Sequence, residues 1–134
     1  MAAKKFDLSD PVRYRKNNPF MDHCHIDIVS VSPERSEVRV TMTHELQNLN
    51  GTVHGGLLYT LADCVAGITS RADGRNYVTQ SAHINYLRSA SEGMLYAVGT
   101  PIKRGRRTVV IHVQIFQTPD VLLADASVDM FCIE

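Results

Sequence analysis

Asp63 is the residue whose setting asks for a chemical explanation. It stands inside an apolar run, Leu57-Leu58-Tyr59-Thr60-Leu61-Ala62-Asp63-Cys64-Val65-Ala66-Gly67-Ile68, with no charged neighbour within a turn. Carboxylates are rarely buried unless paired or functional, and removing an ionised one from water is costly. A catalytic role is one compensation; a bond to some buried donor is the other. Just ahead of the run stand His54-Gly55-Gly56. If a helix begins there, its first N–H groups have no helical partner and the helix dipole adds partial positive charge. Glycines leave those amides open to a substrate carbonyl, the geometry of an oxyanion site, although a glycine-rich loop ahead of a helix is also common. The dipole disfavours a cation at His54, so a neutral, hydrogen-bonding or packing histidine is expected rather than a base.

Spacing links the two features. Asp63 lies eight residues beyond Gly55, roughly 12 Å along a helix axis. One carbonyl cannot touch the Gly55 amide and the Asp63 carboxylate of the same helix. If both act on one substrate, they come from two chains with antiparallel helices, which predicts a two-fold homodimer with two shared sites. Gly56, Thr60, Asp63, Gly67 and Ser70 fall on one helical stripe of small or polar residues. Such a stripe admits a thin ligand or a closely packed backbone.

The elements that must hold these residues follow from patterning. Residues 7 to 17 read as a short amphipathic helix, with Ser9 or Asp10 as cap, Pro11 in the first turn and Asn17-Asn18-Pro19 as its end. Apolar alternation over 25–31 and again at Val38, Val40 and Met42, around Ser32-Pro33-Glu34-Arg35-Ser36, predicts a hairpin. A polar loop over 47–53 leads into the long helix, which runs to about Ala72. Strands are then expected over 77–87, 95–102, 108–117 and 121–133, separated by turn residues. Short connections make the strands antiparallel. The fold class is α+β: an antiparallel sheet of five to six strands wrapped around one long central helix. The length suits one domain spanning 1–134, with residues 1–20 as an N-terminal extension carrying the short helix.

Composition bounds the function. Formal net charge is zero, so no global field draws nucleic acid or an anionic membrane. Cys24, Cys64 and Cys132 form no CxxC pair and are expected as free thiols. With no hydrophobic signal core at the N-terminus, a cytoplasmic protein is the expectation. His23-Cys24-His25 lacks a second ligand pair for a metal. No nucleophile elbow, phosphate loop or dinucleotide fingerprint is seen, and no cofactor is implied. Lys103, Arg104, Arg106 and Arg107 are the densest positive charge; read as a turn, Lys103-Arg104-Gly105-Arg106 is either a phosphate dock or a solvated hairpin tip.

Asn48-Leu49-Asn50-Gly51-Thr52-Val53-His54-Gly55-Gly56, followed by Leu61-Ala62-Asp63, resembles the signature of hotdog-fold thioesterases of the PaaI type. Ile84-Asn85-Tyr86-Leu87-Arg88 is similar to the family's first strand after the helix, and the resemblance covers about residues 20 to 133. It implies hydrolysis of acyl-coenzyme A thioesters, small, medium-chain or aryl, without a metal, by homodimers that often pair into homotetramers. Residue by residue, it implies that Asp63 is general base or nucleophile and that the Gly55 amide of the other subunit polarises the carbonyl. Asn48 helps hold water or the carbonyl, His54 matches the family histidine, and Thr79 matches a hydroxyl residue beside the site. Gly56, Tyr86, Leu87, Arg88 and Ser89, with Lys103, Arg104 and Arg106, fall where the family binds substrate. Two other functions stay open: a hotdog enoyl-CoA hydratase or dehydratase, although the Phe-Pro-Gly type sequence of those enzymes is missing, and a non-catalytic acyl-CoA or acyl-carrier-protein binding module.

Overall fold

The computed structural model describes residues 7–134. The expected absence of a signal core concerns residues 1–6, which lie outside the described residues. Pro11–Lys16 forms α1, with the Asp10 side chain accepting the Arg13 N–H and Pro11 in the first turn. Pro19–His23 forms a second short helix, α2. From the sequence, Asn17-Asn18-Pro19 reads only as a stop. Proline does end one helix there, but its fixed φ equally suits the first turn of the next. Arg15 ties this extension to the sheet: its Nε lies 3.0 Å from Asp22 and its Nη1 2.6 Å from Asp27.

The strands are β1 (Asp27–Ser30), β2 (Ser36–Thr41), β3 (Tyr77–Tyr86), β4 (Met94–Arg104), β5 (Thr108–Gln117) and β6 (Val121–Cys132). They form one six-stranded sheet in the order β1-β2-β4-β5-β6-β3, antiparallel throughout. The long helix α3 spans Gly55–Arg71 between β2 and β3 and lies against the sheet's inner face. This is the hotdog arrangement. Period-2 alternation selects that inner face: Leu95 and Ala97, Val109, Ile111, Val113 and Ile115, and Ala126, Val128 and Met130 are buried. Against them pack Leu57, Leu58, Leu61, Ala62, Val65 and Ile68 of the helix. At Gly99 helix and sheet come close, since a Cβ there would lie 3.0 Å from Thr69 Oγ1 and 3.4 Å from Val65 Cγ1.

Two details depart from the sequence reading. Lys103 and Arg104 belong to β4, so the turn begins only at Gly105. And α3 is not enclosed: Gly56, Tyr59 and Asp63 are exposed on the face the sheet does not cover, while Gly67 and Ser70 of the same stripe are buried. A single sheet can cover only one side of a helix, so the apolar run does not bury Asp63 within this chain.

Candidate active site

Helix α3 and strand β3 meet at Asp63. The Thr79 hydroxyl donates to Asp63 Oδ1 at 2.5 Å and also lies 3.5 Å from the Met130 sulfur. The other carboxylate oxygen has no hydrogen bond from any described residue. The pair opens on a cavity of about 360 Å³, whose walls include Tyr59, Cys64 and Met130, with Tyr14 and Met21 from the N-terminal extension. Cys64, next to the carboxylate in sequence, is no competing nucleophile. Burial, reinforced by the charge of Asp63, pushes its thiol up to about 12, so it stays protonated at neutral pH.

The start of α3 builds a second surface. His54 is the cap: its Nδ1 accepts the Gly56 N–H at 2.8 Å, and its carbonyl accepts the Leu57 N–H at 2.9 Å. An accepting Nδ1 is the hydrogen-bonding role expected of His54. The Gly55 N–H is thereby left without a hydrogen bond among the described residues. Tyr86 crosses from the end of β3 to donate its hydroxyl to the Gly55 carbonyl at 3.1 Å. Partial desolvation, helped by nearby Tyr59, raises the Tyr86 pKa. Asn48 fixes the loop ahead of the helix. Its Oδ1 accepts the N–H groups of Asn50 at 2.9 Å and Thr52 at 3.2 Å, while its Nδ2 donates to Thr52 Oγ1 at 3.0 Å. Asn48, Gly55, Tyr86, Leu87, Arg88 and Ser89 border a second open cavity, also about 360 Å³.

The structure thus gathers the candidates into two groups at different places on one helix, Asp63 with Thr79 and Gly55 with its neighbours. The basic cluster does not act as a unit. Arg104 turns inward to the carboxyl end of α3, donating to the carbonyls of Thr69 at 3.0 Å, Ser70 at 3.1 Å and Pro33 at 3.0 Å, and pairing with Asp73 at 3.0 Å. Lys103, Arg106 and Arg107 stay exposed. Tyr59 and Met130 line the Asp63 cavity, whereas Phe116 stacks on Tyr96 with ring centroids 5.1 Å apart. His112 bonds Asp125 at 2.8 Å and lines neither cavity. Sequence reasoning missed Tyr14, Met21 and Arg71 as cavity walls. No local pattern signals where an extension docks; the alternating polar and apolar faces of α1 were the only available hint.

Residues 50–124 match the family model of the thioesterase superfamily. The chain belongs to that superfamily, and its sheet wrapped on one helix gives it the hotdog fold. It is similar to the acyl-coenzyme A thioesterase PaaI of Escherichia coli K12, at 30% identity over 91 residues, 67% of this chain and 65% of that protein. A Deinococcus radiodurans protein named "Putative esterase" is 35% identical over 89 residues, 66% of this chain and 60% of its own length. The chain therefore spans less than two thirds of either relative. The solved structure of smu.793 from Streptococcus mutans UA159, bound to acetyl CoA, superposes with a TM-score of 0.76 at 30% identity, covering 80% of this chain and 87% of that one.

Proposed function

We propose that this chain hydrolyses acyl-CoA thioesters. The observation that carries the reading is Asp63 itself: a carboxylate at the wall of an open cavity, one oxygen held by Thr79 and the other left for a water molecule. In this reading Asp63 removes a proton from that water as it attacks the thioester carbonyl. The tetrahedral oxyanion is met by the Gly55 N–H of a second subunit, which supplies the half-site this chain holds too far away to use on its own substrate. Collapse breaks the C–S bond; the thiolate leaves with the proton that Asp63 carries, and the acyl group departs as a carboxylic acid.

The remaining roles follow from position. Asn48 and His54 hold the loop and helix start that present Gly55, and Gly56 gives its amide to His54. Tyr86, Leu87, Arg88 and Ser89 border the groove for the pantetheine arm. Lys103 and Arg106 are exposed cations for the phosphates. Arg104 is left out of the dock because its guanidinium is engaged at the end of α3. The names of PaaI and of the acetyl-CoA complex favour coenzyme A as the carrier. No helix among the described residues is long and apolar enough to cross a membrane. The three free thiols suit a reducing compartment, and we place the protein in the cytoplasm.

The test is thiol release from short, medium, long and aryl acyl-CoAs, with wild type beside Asp63→Asn and a blank for the protein's own thiols. The variant should lose at least ~10²-fold in turnover with its fold intact. Near-full activity in Asp63→Asn would overturn the mechanism, and saturable acyl-CoA binding without hydrolysis would overturn the activity.

A further inference from the structure

The Asp63 cavity holds a positive charge that the reaction above does not use. Arg71 lies two turns beyond Asp63 on α3, and its side chain runs back along the helix over Gly67: a Cβ on Gly67 would be 2.6 Å from Arg71 Nη1. The guanidinium therefore sits about one turn from Asp63, roughly 6 Å along the axis. It is half-buried. Its three hydrogen bonds all go to neutral acceptors: Nε to Asn76 Oδ1 at 3.2 Å, Nη1 to the Tyr14 hydroxyl at 2.9 Å and Nη2 to the Tyr77 carbonyl at 2.8 Å. No carboxylate among the described residues pairs with it. The guanidinium thus stands in the cavity with no direct ion pair of its own.

These bonds orient the guanidinium without exhausting it. An arginine has five N–H groups, and one on each Nη is left for an incoming acceptor. A carboxylate is the acceptor that matches two such N–H groups in both charge and shape. The lining of the cavity also includes apolar groups suited to methylenes, among them Phe20, Tyr59 and Met130. Beyond the guanidinium the space does not close. Tyr14, Asn18 and Arg71 also border an adjoining hollow of about 240 Å³, so a carboxylate docked there keeps part of its hydration.

We propose that Arg71, held by Tyr14, selects acyl groups that end in a carboxylate about 6 Å from the thioester carbonyl, an extended chain of about five or six carbons with C–C bonds near 1.5 Å. The substrate class is the mono-CoA thioester of a short dicarboxylic acid. This inference rests on the reading of Asp63 as the residue at the thioester.

The experiment compares kcat/KM for adipyl-CoA and hexanoyl-CoA, which share chain length and differ in a terminal carboxylate against a methyl group, using the full chain. The wild type should favour adipyl-CoA by at least ~10-fold, the scale of one hydrogen bond to a charged group. Arg71→Gln should bring the ratio to one or below. Because Arg71 also holds the Asn76–Tyr77 segment, Gly67→Ala is the second variant. It keeps the charge but places a methyl 2.6 Å from where Nη1 now lies, and it should lower the ratio at least ~3-fold. A wild-type ratio of one or less, with hexanoyl-CoA still hydrolysed, overturns the selectivity and leaves the thioesterase reading standing. A preference that survives in folded Arg71→Gln, or an unchanged ratio in Gly67→Ala, overturns the role of Arg71. Hydrolysis of no acyl-CoA at all overturns the Asp63 reading and this inference with it.

Discussion

His54 Nδ1 accepts the Gly56 N–H at 2.8 Å, and the same ring nitrogen would lie 2.9 Å from a Cβ on residue 56. The second glycine is thus explained by the cap: any side chain there would press on the imidazole that closes the helix end. The first glycine needs another reason. A Cβ on Gly55 would meet Tyr86 first, at 3.4 Å, which is ordinary contact. Packing does not demand glycine at 55, whereas an amide open to a substrate oxygen does favour it.

Gly55→Pro isolates that amide. Proline is well tolerated at the first helical position, where the N–H has no helical partner and φ is already suitable. His54, at φ −67° and ψ 133°, already has the extended backbone that a residue before proline adopts. The substitution should keep the melting temperature close to wild type while lowering kcat by about 10²–10³-fold, the cost of one oxyanion donor. Circular dichroism melts beside acyl-CoA turnover check both halves. Wild-type turnover in the folded variant would remove Gly55 from the chemistry.

In the proposed mechanism Thr79 positions Asp63 through its hydroxyl. Thr79→Val keeps the shape and deletes the donor to Oδ1. The expected result is a fall in kcat of about 10-fold with KM nearly unchanged, equivalent to roughly 1.5 kcal/mol for a hydrogen bond to a charged group. Thr79→Ser should restore most of the loss. A valine variant that loses through KM instead, or a serine variant no better than valine, would point to packing against Met130 as the role of Thr79.

The helix and strands could be read from the chain because each carries its own period. The 57–68 run fixes a helix, and the alternations around Val38, Ile111 and Val128 fix strands whose inner faces are the buried ones. Asp63 stood out for the same reason, as one charge in an apolar stretch. Its exposure was not legible, because a sequence reports which residues are apolar but not which side of a helix its own sheet leaves uncovered. Arg104 was misplaced for a related reason. Four basic residues in five positions look like one patch, yet strand alternation sends Arg104 inward to Asp73 and leaves Lys103 exposed. Arg71 gave no signal at all: a basic residue in the last turn is ordinary helix chemistry, and only the docking of α1 reveals its cavity.

The carboxyl end of α3 should set the pH limits of stability. Asp73 receives the Tyr77 hydroxyl and ion pairs from Arg75 at 3.3 Å and Arg104 at 3.0 Å. Burial alone would raise its pKa, but these bonds and charges together hold it below the ordinary value. Tyr77 is pushed up to about 12, by burial first and then by donating to Asp73. The signs are opposite. The Asp73 contribution is present above the unfolded carboxylate value of about 4 and is lost as pH falls through the lower folded value. The Tyr77 contribution is present below the unfolded phenol value of about 10 and is lost as pH rises toward 12. Asp73→Ala should cost roughly 2 kcal/mol at pH 7. The difference from wild type in urea melts should shrink below pH 4 and above pH 10. A difference constant from pH 3 to pH 11 would show that the cluster is not what titrates.

A site divided between two subunits, as proposed, makes a sharp statistical prediction. Asp63→Asn and Gly55→Pro should each be inactive alone, since every site in either homodimer lacks one of its two groups. Mixed and allowed to exchange, half the dimers are heterodimers. In each, one site carries both lesions and the other carries Asp63 from one chain and Gly55 from its partner, both intact. Activity should return to about a quarter of wild type at equal total protein, following from two-fold symmetry alone. Co-expression with two affinity tags, isolating the heterodimer, should raise that to about a half. If the doubly tagged species stays inactive while each chain remains folded and dimeric, Asp63 and Gly55 do not meet across the interface, and the oxyanion must be held by another donor close to Asp63 in the same chain.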